Sequence, residues 1–192
     1  MQFDASTVHQ RFDGPLGAMV LSASARGLNG VWFDGQRHQP DPAGWPQALH
    51  HPVLQAAQQQ LLEYFACRRR QFDLPLDLSG GTAFQQAVWQ ALLAIDAGAT
   101  RSYGALAQAL DRPRAVRAVG AAIGRNPLSI VVPCHRVLGS GGALTGYAGG
   151  LQRKHLLLTL EQQPARQQEA ACATPGRPMV RSTAARSAKV LQ

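Results

Sequence analysis

The stretch 113–137 constrains this chain more than any other. A helical pattern runs from Pro113 to Gly124, and Asn126-Pro127 ends it, because a residue before proline is driven out of the helical region. The run from Leu128 to Val132 reads as an extended apolar segment that stops at Pro133, whose fixed φ stiffens the backbone. Cys134, His135 and Arg136 come directly after it. Any fold that buries the apolar run therefore fixes a cysteine beside a histidine and an arginine. Sulfur attacks as thiolate, and neighbouring cations or bases lower a cysteine pKa, so Cys134 is predicted to be an activated nucleophile. The plainer reading is a core cysteine, since free cysteines are among the most buried residues. The flanking residues weigh against it.

With 192 residues, 45% of them hydrophobic, the chain has enough apolar content for a folded body of one sizeable domain or two small ones. Met1-Gln2-Phe3-Asp4 lacks the basic start and apolar run of a secretory signal, and no apolar stretch is long enough to span a membrane. Three cysteines at wide spacings argue against a disulfide framework and for a reducing, cytoplasmic setting. The net charge of +8 comes from 17 arginines and only two lysines. Six of the arginines fall between 101 and 136 against one acid, Asp111, a clustering that favours a nucleic-acid partner over a generally basic surface.

Residues 17–24 and 30–33 read as two strands around a turn at Arg26-Gly27-Leu28-Asn29. Pro52 opens a helix to Phe65 with Val53, Ala57, Leu61 and Phe65 inward, and 72–76 has the alternation of an edge strand. These form a small α/β N-terminal domain over 1–79. Ser79-Gly80-Gly81 is the joint to a second domain, 80–163, mainly α and winged-helix-like with a helix-turn-helix. Thr82 to Gln85 fits a capping box, Ser102 caps a helix over 103–111, Pro113 starts the helix 113–124, and a last helix covers 151–160. The remainder, 164–192, reads as a basic, disordered tail in which Cys172 has no catalytic neighbours.

On the helix 113–124, Val116, Val119 and Ile123 share one face, and Arg114, Arg117, Ala121 and Arg125 lie roughly opposite. Ala118, Ala121 and Gly124 keep that second face low, as entry into a narrow minor groove requires. Taken alone the helix reads first as an ordinary amphipathic one with a solvated basic face, because a short helix pair is not a specific signal. Gly139 to Gly142 and Thr145 to Gly150 are glycine-rich, so their amides either approach a flat ligand or form a plain loop.

Ser102-Tyr103-Gly104, Arg114 to Gly120, Asn126-Pro127, Ile130 to Val137 and Thr145 to Gly150, in that order, resemble the O6-alkylguanine-DNA alkyltransferases, the methylated-DNA–protein-cysteine methyltransferases. The resemblance spans 82–162 almost end to end. It implies that Cys134 accepts the alkyl group in a single-turnover reaction, and that His135 is its base through a water, oriented by Glu161. It further implies that Tyr103 crowds the target phosphate and protonates the departing guanine, and that Arg117 fills the gap left by the flipped base. Asn126 would be the hinge between helix pair and active-site loop. Val137, Tyr147 and Ala148 would receive the base, and Arg114, Ala118, Ala121, Arg125 and Arg136 would meet DNA. Ala148 stands where some members have serine, which removes a hydroxyl contact to O6. The implied partner is double-stranded DNA containing O6-alkylguanine, with O4-alkylthymine left open. The protein is expected to be a monomer, to need no cofactor and no metal, to avoid membranes and to join the nucleoid when on DNA. Two other readings are a cysteine hydrolase, which turns over and regenerates its thiol, and a damage-sensing binder, which lacks the cysteine.

Overall fold

The computed structural model describes residues 1–164, so the expected tail, including Cys172, lies outside the described residues from 165 onward. Among the described residues no helix is long and apolar enough to cross a membrane. The chain begins as an antiparallel meander of β1 (Val8–Gly14), β2 (Gly17–Ser24) and β3 (Gly27–Phe33). Gly27 has φ +141°, and a Cβ there would collide with the Pro75 carbonyl, so the β2–β3 turn needs glycine. The turn falls at Ala25-Arg26, ahead of the expected Arg26 to Asn29. Strand β1 has no counterpart in the sequence reading. Its inward residues are Gln10 and Phe12, and Gln10 is buried on Gln58, which breaks the apolar alternation that marks a strand.

Helix α1 (Pro52–Phe65) opens on Pro52 as its sequence indicates and lies against the sheet. Its buried stripe is Leu54, Ala57, Leu61 and Tyr64, so Val53 and Phe65 are only half-buried beside it. The expected edge strand 72–76 reduces to one bridge, Leu28 with Leu76, because Pro75 brings a carbonyl but no donor.

The second half holds α2 (Ala83–Leu93), β4 (Arg101–Ser102), α3 (Tyr103–Ala109), α4 (Val116–Gly124), β5 (Val137–Leu138) and α5 (Leu151–Gln162). Both halves of the Thr82–Gln85 capping box are made. Ser102 Oγ accepts from the Ala105 N–H at 3.0 Å, and β4 pairs parallel with β5 beside the α3–α4 pair. Helix α4 starts at Val116, later than expected. Asp111 is left-handed (φ 55°), and the Ala115 N–H closes on the Arg112 carbonyl at 2.9 Å, so Pro113 belongs to a tight turn. Val116, placed at the first turn of the helix, is 37% exposed and not on the buried face, which consists of Val119, Ala122 and Ile123.

The segment 128–132 is not extended. Leu128 bridges Val31 of β3: the Val31 N–H donates to the Pro127 carbonyl at 2.8 Å, and the Ser129 N–H donates to the Val31 carbonyl at 2.9 Å. The chain then coils tightly, with Val132 N–H on the Leu128 carbonyl at 2.9 Å and Ile130 forced to φ 73°. Left-handed backbone is strained for a β-branched residue and persists only where its surroundings over-determine it. Apolar runs of this length extend when they join a sheet, but here the Asn126 side chain and tight backbone turns satisfy the backbone instead. One continuous buried cluster joins Leu28 of β3, Leu61 of α1, Trp89 of α2, Ile123 of α4, Val132 and Leu157 of α5.

Candidate active site

Asn126, at the exit of α4, organises the coil. Its Nδ2 donates to the Val132 carbonyl at 2.8 Å, to the Leu128 carbonyl at 3.3 Å and to Cys134 Sγ at 3.1 Å, while its Oδ1 accepts from the Leu128 N–H at 3.0 Å. One buried side chain thus replaces the ladder that a strand would have supplied. Cys134 starts a short 3-10 turn, Cys134–Arg136, and is 4% exposed.

That turn aims three consecutive side chains in different directions. Cys134 faces a cavity of about 490 Å³. His135 is fully buried, with Nε2 2.9 Å from Glu161 Oε1 and, among the described residues, no partner for Nδ1. Arg136 is buried as well: its Nε donates to Glu161 Oε2 at 2.9 Å, Nη2 to Oε1 at 2.7 Å and Nη1 to the Ile95 carbonyl at 2.5 Å. Its expected contact with DNA is therefore incorrect. All its donors point inward, where a carboxylate holds them.

Glu161 is the hub of the buried network. Its Oε1 also accepts from the Tyr64 hydroxyl at 2.7 Å, and its Oε2 from the Gly98 N–H at 3.1 Å. Burial opposes its ionisation, yet the hydrogen bonds from His135 and Arg136 and the charge of the Arg136 guanidinium prevail and hold the carboxyl well below the usual range. Burial lowers the His135 pKa against the pull of Glu161, so the ring is neutral and able to accept a proton. Burial also pushes the Cys134 thiol up, with Asn126 and Lys154 only partly opposing it. The lowering of the Cys134 pKa that the sequence leads one to expect from its neighbours is not found: burial dominates, and Arg136, the nearest cation along the chain, is paired with Glu161.

The cavity has three walls. Gly120, Ala121 and Gly124 of α4 make one, Gly146, Tyr147 and Ala148 another, and Arg37 and His38 from the N-terminal half contribute with Arg125. Tyr103 lines it half-buried, donating its hydroxyl towards the Thr145 carbonyl at 3.2 Å and the Gly146 carbonyl at 3.3 Å. Gly146 has φ 53°, and a Cβ there would come within 2.9 Å of that hydroxyl. Burial raises the phenol pKa, which keeps its proton in place. Val137 stands off this wall, fully buried, with its carbonyl taken by Lys154 at 2.5 Å. Arg114, Arg117, Ala118, Ala121 and Arg125 are exposed at or beside α4, on the side away from the core.

Lys154, Tyr64, Arg37 and His38 were absent from the expected site. Lys154 Nζ also donates to the Thr145 carbonyl at 2.6 Å and lies close to the Gly146 carbonyl at 3.3 Å, and burial lowers its pKa to about 8. A signal for it exists: Lys154, Leu157 and Glu161 share one helical face, which is the buried face of α5. The exposed leucines of that helix, such as Leu156, conceal the pattern.

A buried thiol, with a histidine–glutamate pair next to it and an arginine-bearing helix beside its cavity, is the arrangement of a candidate cysteine-centred active site. Residues 8–78 match the ribonuclease-like domain of 6-O-methylguanine DNA methyltransferase, and residues 83–163 match its DNA-binding domain. The chain belongs to the 6-O-methylguanine DNA methyltransferase family. It is 44% identical over 155 residues to the methylated-DNA–protein-cysteine methyltransferase of Mycolicibacterium paratuberculosis, covering 81% of this chain and 92% of the relative. Against that of Mycobacterium leprae it is 46% identical over 156 residues, covering 81% and 93%. The crystal structure of Mycobacterium tuberculosis OGT in complex with DNA superposes with TM-score 0.74 at 44% identity, covering 80% of this chain and 92% of that one.

Proposed function

We propose that this protein takes the alkyl group of O6-alkylguanine in duplex DNA onto Cys134 Sγ, once per molecule. The observation that carries the reading is Cys134 at the cavity, with a neutral His135 behind it whose Nε2 is held by Glu161. A cavity of 490 Å³ lies within the range of about 300–1,000 Å³ that small-molecule sites occupy.

An O6-alkyl group in the base stack is out of reach of a recessed sulfur, so the nucleotide is flipped out, at a cost of a few kcal/mol. The low face of α4, Ala118 and Ala121, lies in the minor groove between Arg114 and Arg125, and Arg117 takes the place of the extruded base. Tyr147 and the main chain at Ala148 hold the base. Asn126 keeps the sulfur fixed relative to α4. A water between Cys134 and His135 Nδ1 carries the thiol proton to the imidazole, and Glu161 stabilises the imidazolium that results. The Sγ–carbon bond forms as the carbon–O6 bond breaks, and Tyr103 gives its proton to the guanine. The thioether product has no easy return, so a second alkyl group is not accepted.

The test is transfer of a labelled methyl group from duplex DNA followed by peptide mapping. Label on Cys134, lost in Cys134→Ala while DNA binding persists, supports the reading. Label on another residue, or repeated turnover with no gain in protein mass, defeats it. O4-methylthymine in the same duplex tests the wider substrate range.

A further inference from the structure

A base that enters the cavity is still joined to its sugar and to two phosphates, so its backbone must cross the rim. Two elements far apart in sequence supply that rim. Arg125 comes from the end of α4, whereas Arg37 and His38 come from the segment between β3 and α1. That segment is held firmly. Gln36 is buried, its Oε1 accepting from the Phe33 N–H at 3.0 Å and from Ser129 Oγ at 3.2 Å, and the Arg37 N–H donates to the Ala148 carbonyl at 3.1 Å. His38 follows in left-handed backbone, φ 67°, and also lines a neighbouring cavity with Arg125, Ser79 and Gly80.

Among the described residues, neither cavity has an acidic residue on its walls and neither Arg37 nor Arg125 is in an ion pair. Burial, then the charges of Arg37 and Arg125, lowers the His38 pKa, so these groups already feel one another. Unneutralised arginines carried on anchored backbone around an open space are a seat for a phosphate. We propose that Arg37, His38 and Arg125 hold a phosphodiester of the strand that carries the extruded base, so that the N-terminal half takes a direct part in binding DNA. The proposal rests on base extrusion into the Cys134 cavity.

The experiment compares the full chain with Arg37→Ala and Arg37→Lys on duplex DNA containing O6-methylguanine and on free O6-benzylguanine. Wild-type transfer from duplex establishes the underlying reaction first; its absence there would overturn the proposed function itself. In Arg37→Ala the ratio of duplex rate to free-base rate, at subsaturating substrate, is expected to fall about tenfold, the loss of one charge-assisted hydrogen bond. The slope of log affinity against log salt is expected to flatten by about one unit, and Arg37→Lys to restore it. Arg125→Ala is expected to behave as Arg37→Ala does. An unchanged ratio with an unchanged slope, or equal losses on duplex and free base, would overturn the phosphate seat.

Discussion

Arg136 lies along the Glu161 carboxylate, with Nη2 2.7 Å from Oε1 and Nε 2.9 Å from Oε2, and both side chains are shielded from water. The arginine two residues beyond Cys134 thus holds the carboxylate that also holds His135. It adds little to the positive surface offered to DNA.

Removing one partner of a buried pair leaves an uncompensated charge and costs about 3–5 kcal/mol, whereas an exposed side chain costs within about 0.5 kcal/mol. Arg136→Met is therefore expected to lower the urea midpoint sharply. Arg117→Ala is expected to leave that midpoint in place and to weaken DNA binding. Urea titrations and DNA affinities on both variants check the contrast.

Glu161 has a folded-state pKa depressed below its unfolded value, so its contribution to stability is fully present above the ordinary glutamate pKa of about 4.3. Protonation of the unfolded chain removes that contribution as pH falls below this value. Stability is expected to drop between pH 5 and 3 more steeply in wild type than in Glu161→Gln, measured by denaturant midpoints across that range.

Because burial raises the Cys134 pKa, the thiol is expected to react with iodoacetamide more slowly than a free cysteine at pH 7.5. Its rate should continue to climb beyond pH 9 without levelling off. Mass mapping of Cys134 against time, at several pH values and without DNA, tests this. A rapid, pH-independent reaction would mean a thiolate in the resting protein.

His135→Gln removes the proton acceptor without touching the exposed face of α4. Transfer is expected to slow by about 10²–10⁴-fold, the usual contribution of a positioned base, with DNA affinity unchanged. Single-turnover kinetics with excess protein give the rate.

Lys154→Met is expected to remove the Lys154 donor from the buried Val137 carbonyl, at about 1–3 kcal/mol, and to leave the exposed Thr145 and Gly146 carbonyls to the Tyr103 hydroxyl. Faster amide exchange over residues 143–148, together with slower transfer, is the expected outcome.

Much of the site is legible along the chain because its parts are local. Cys134 and His135 are adjacent, and Asn126 lies next to a proline that fixes where α4 must end. What escapes is pairing at a distance. Arg136 resembles its five neighbouring arginines, and nothing local reveals that its partner is the glutamate on α5, 25 residues on. The course of 128–132 escapes for a related reason: a buried apolar run reads alike whether it extends or coils, and the Asn126 side chain decides between them. Strand β1 is hidden by Gln10, whose partner Gln58 is on α1. Arg37 and His38 are hidden because only the tertiary fold carries them to Cys134.

The bridge between Val31 and Leu128 has a practical consequence. Separating the halves near Gly80 would take the Val31 partners from the Pro127 carbonyl and the Ser129 amide and open them to water, just where the coil that carries the sulfur begins. The reactive half is not a cassette to be moved alone; its shape is borrowed in part from the sheet.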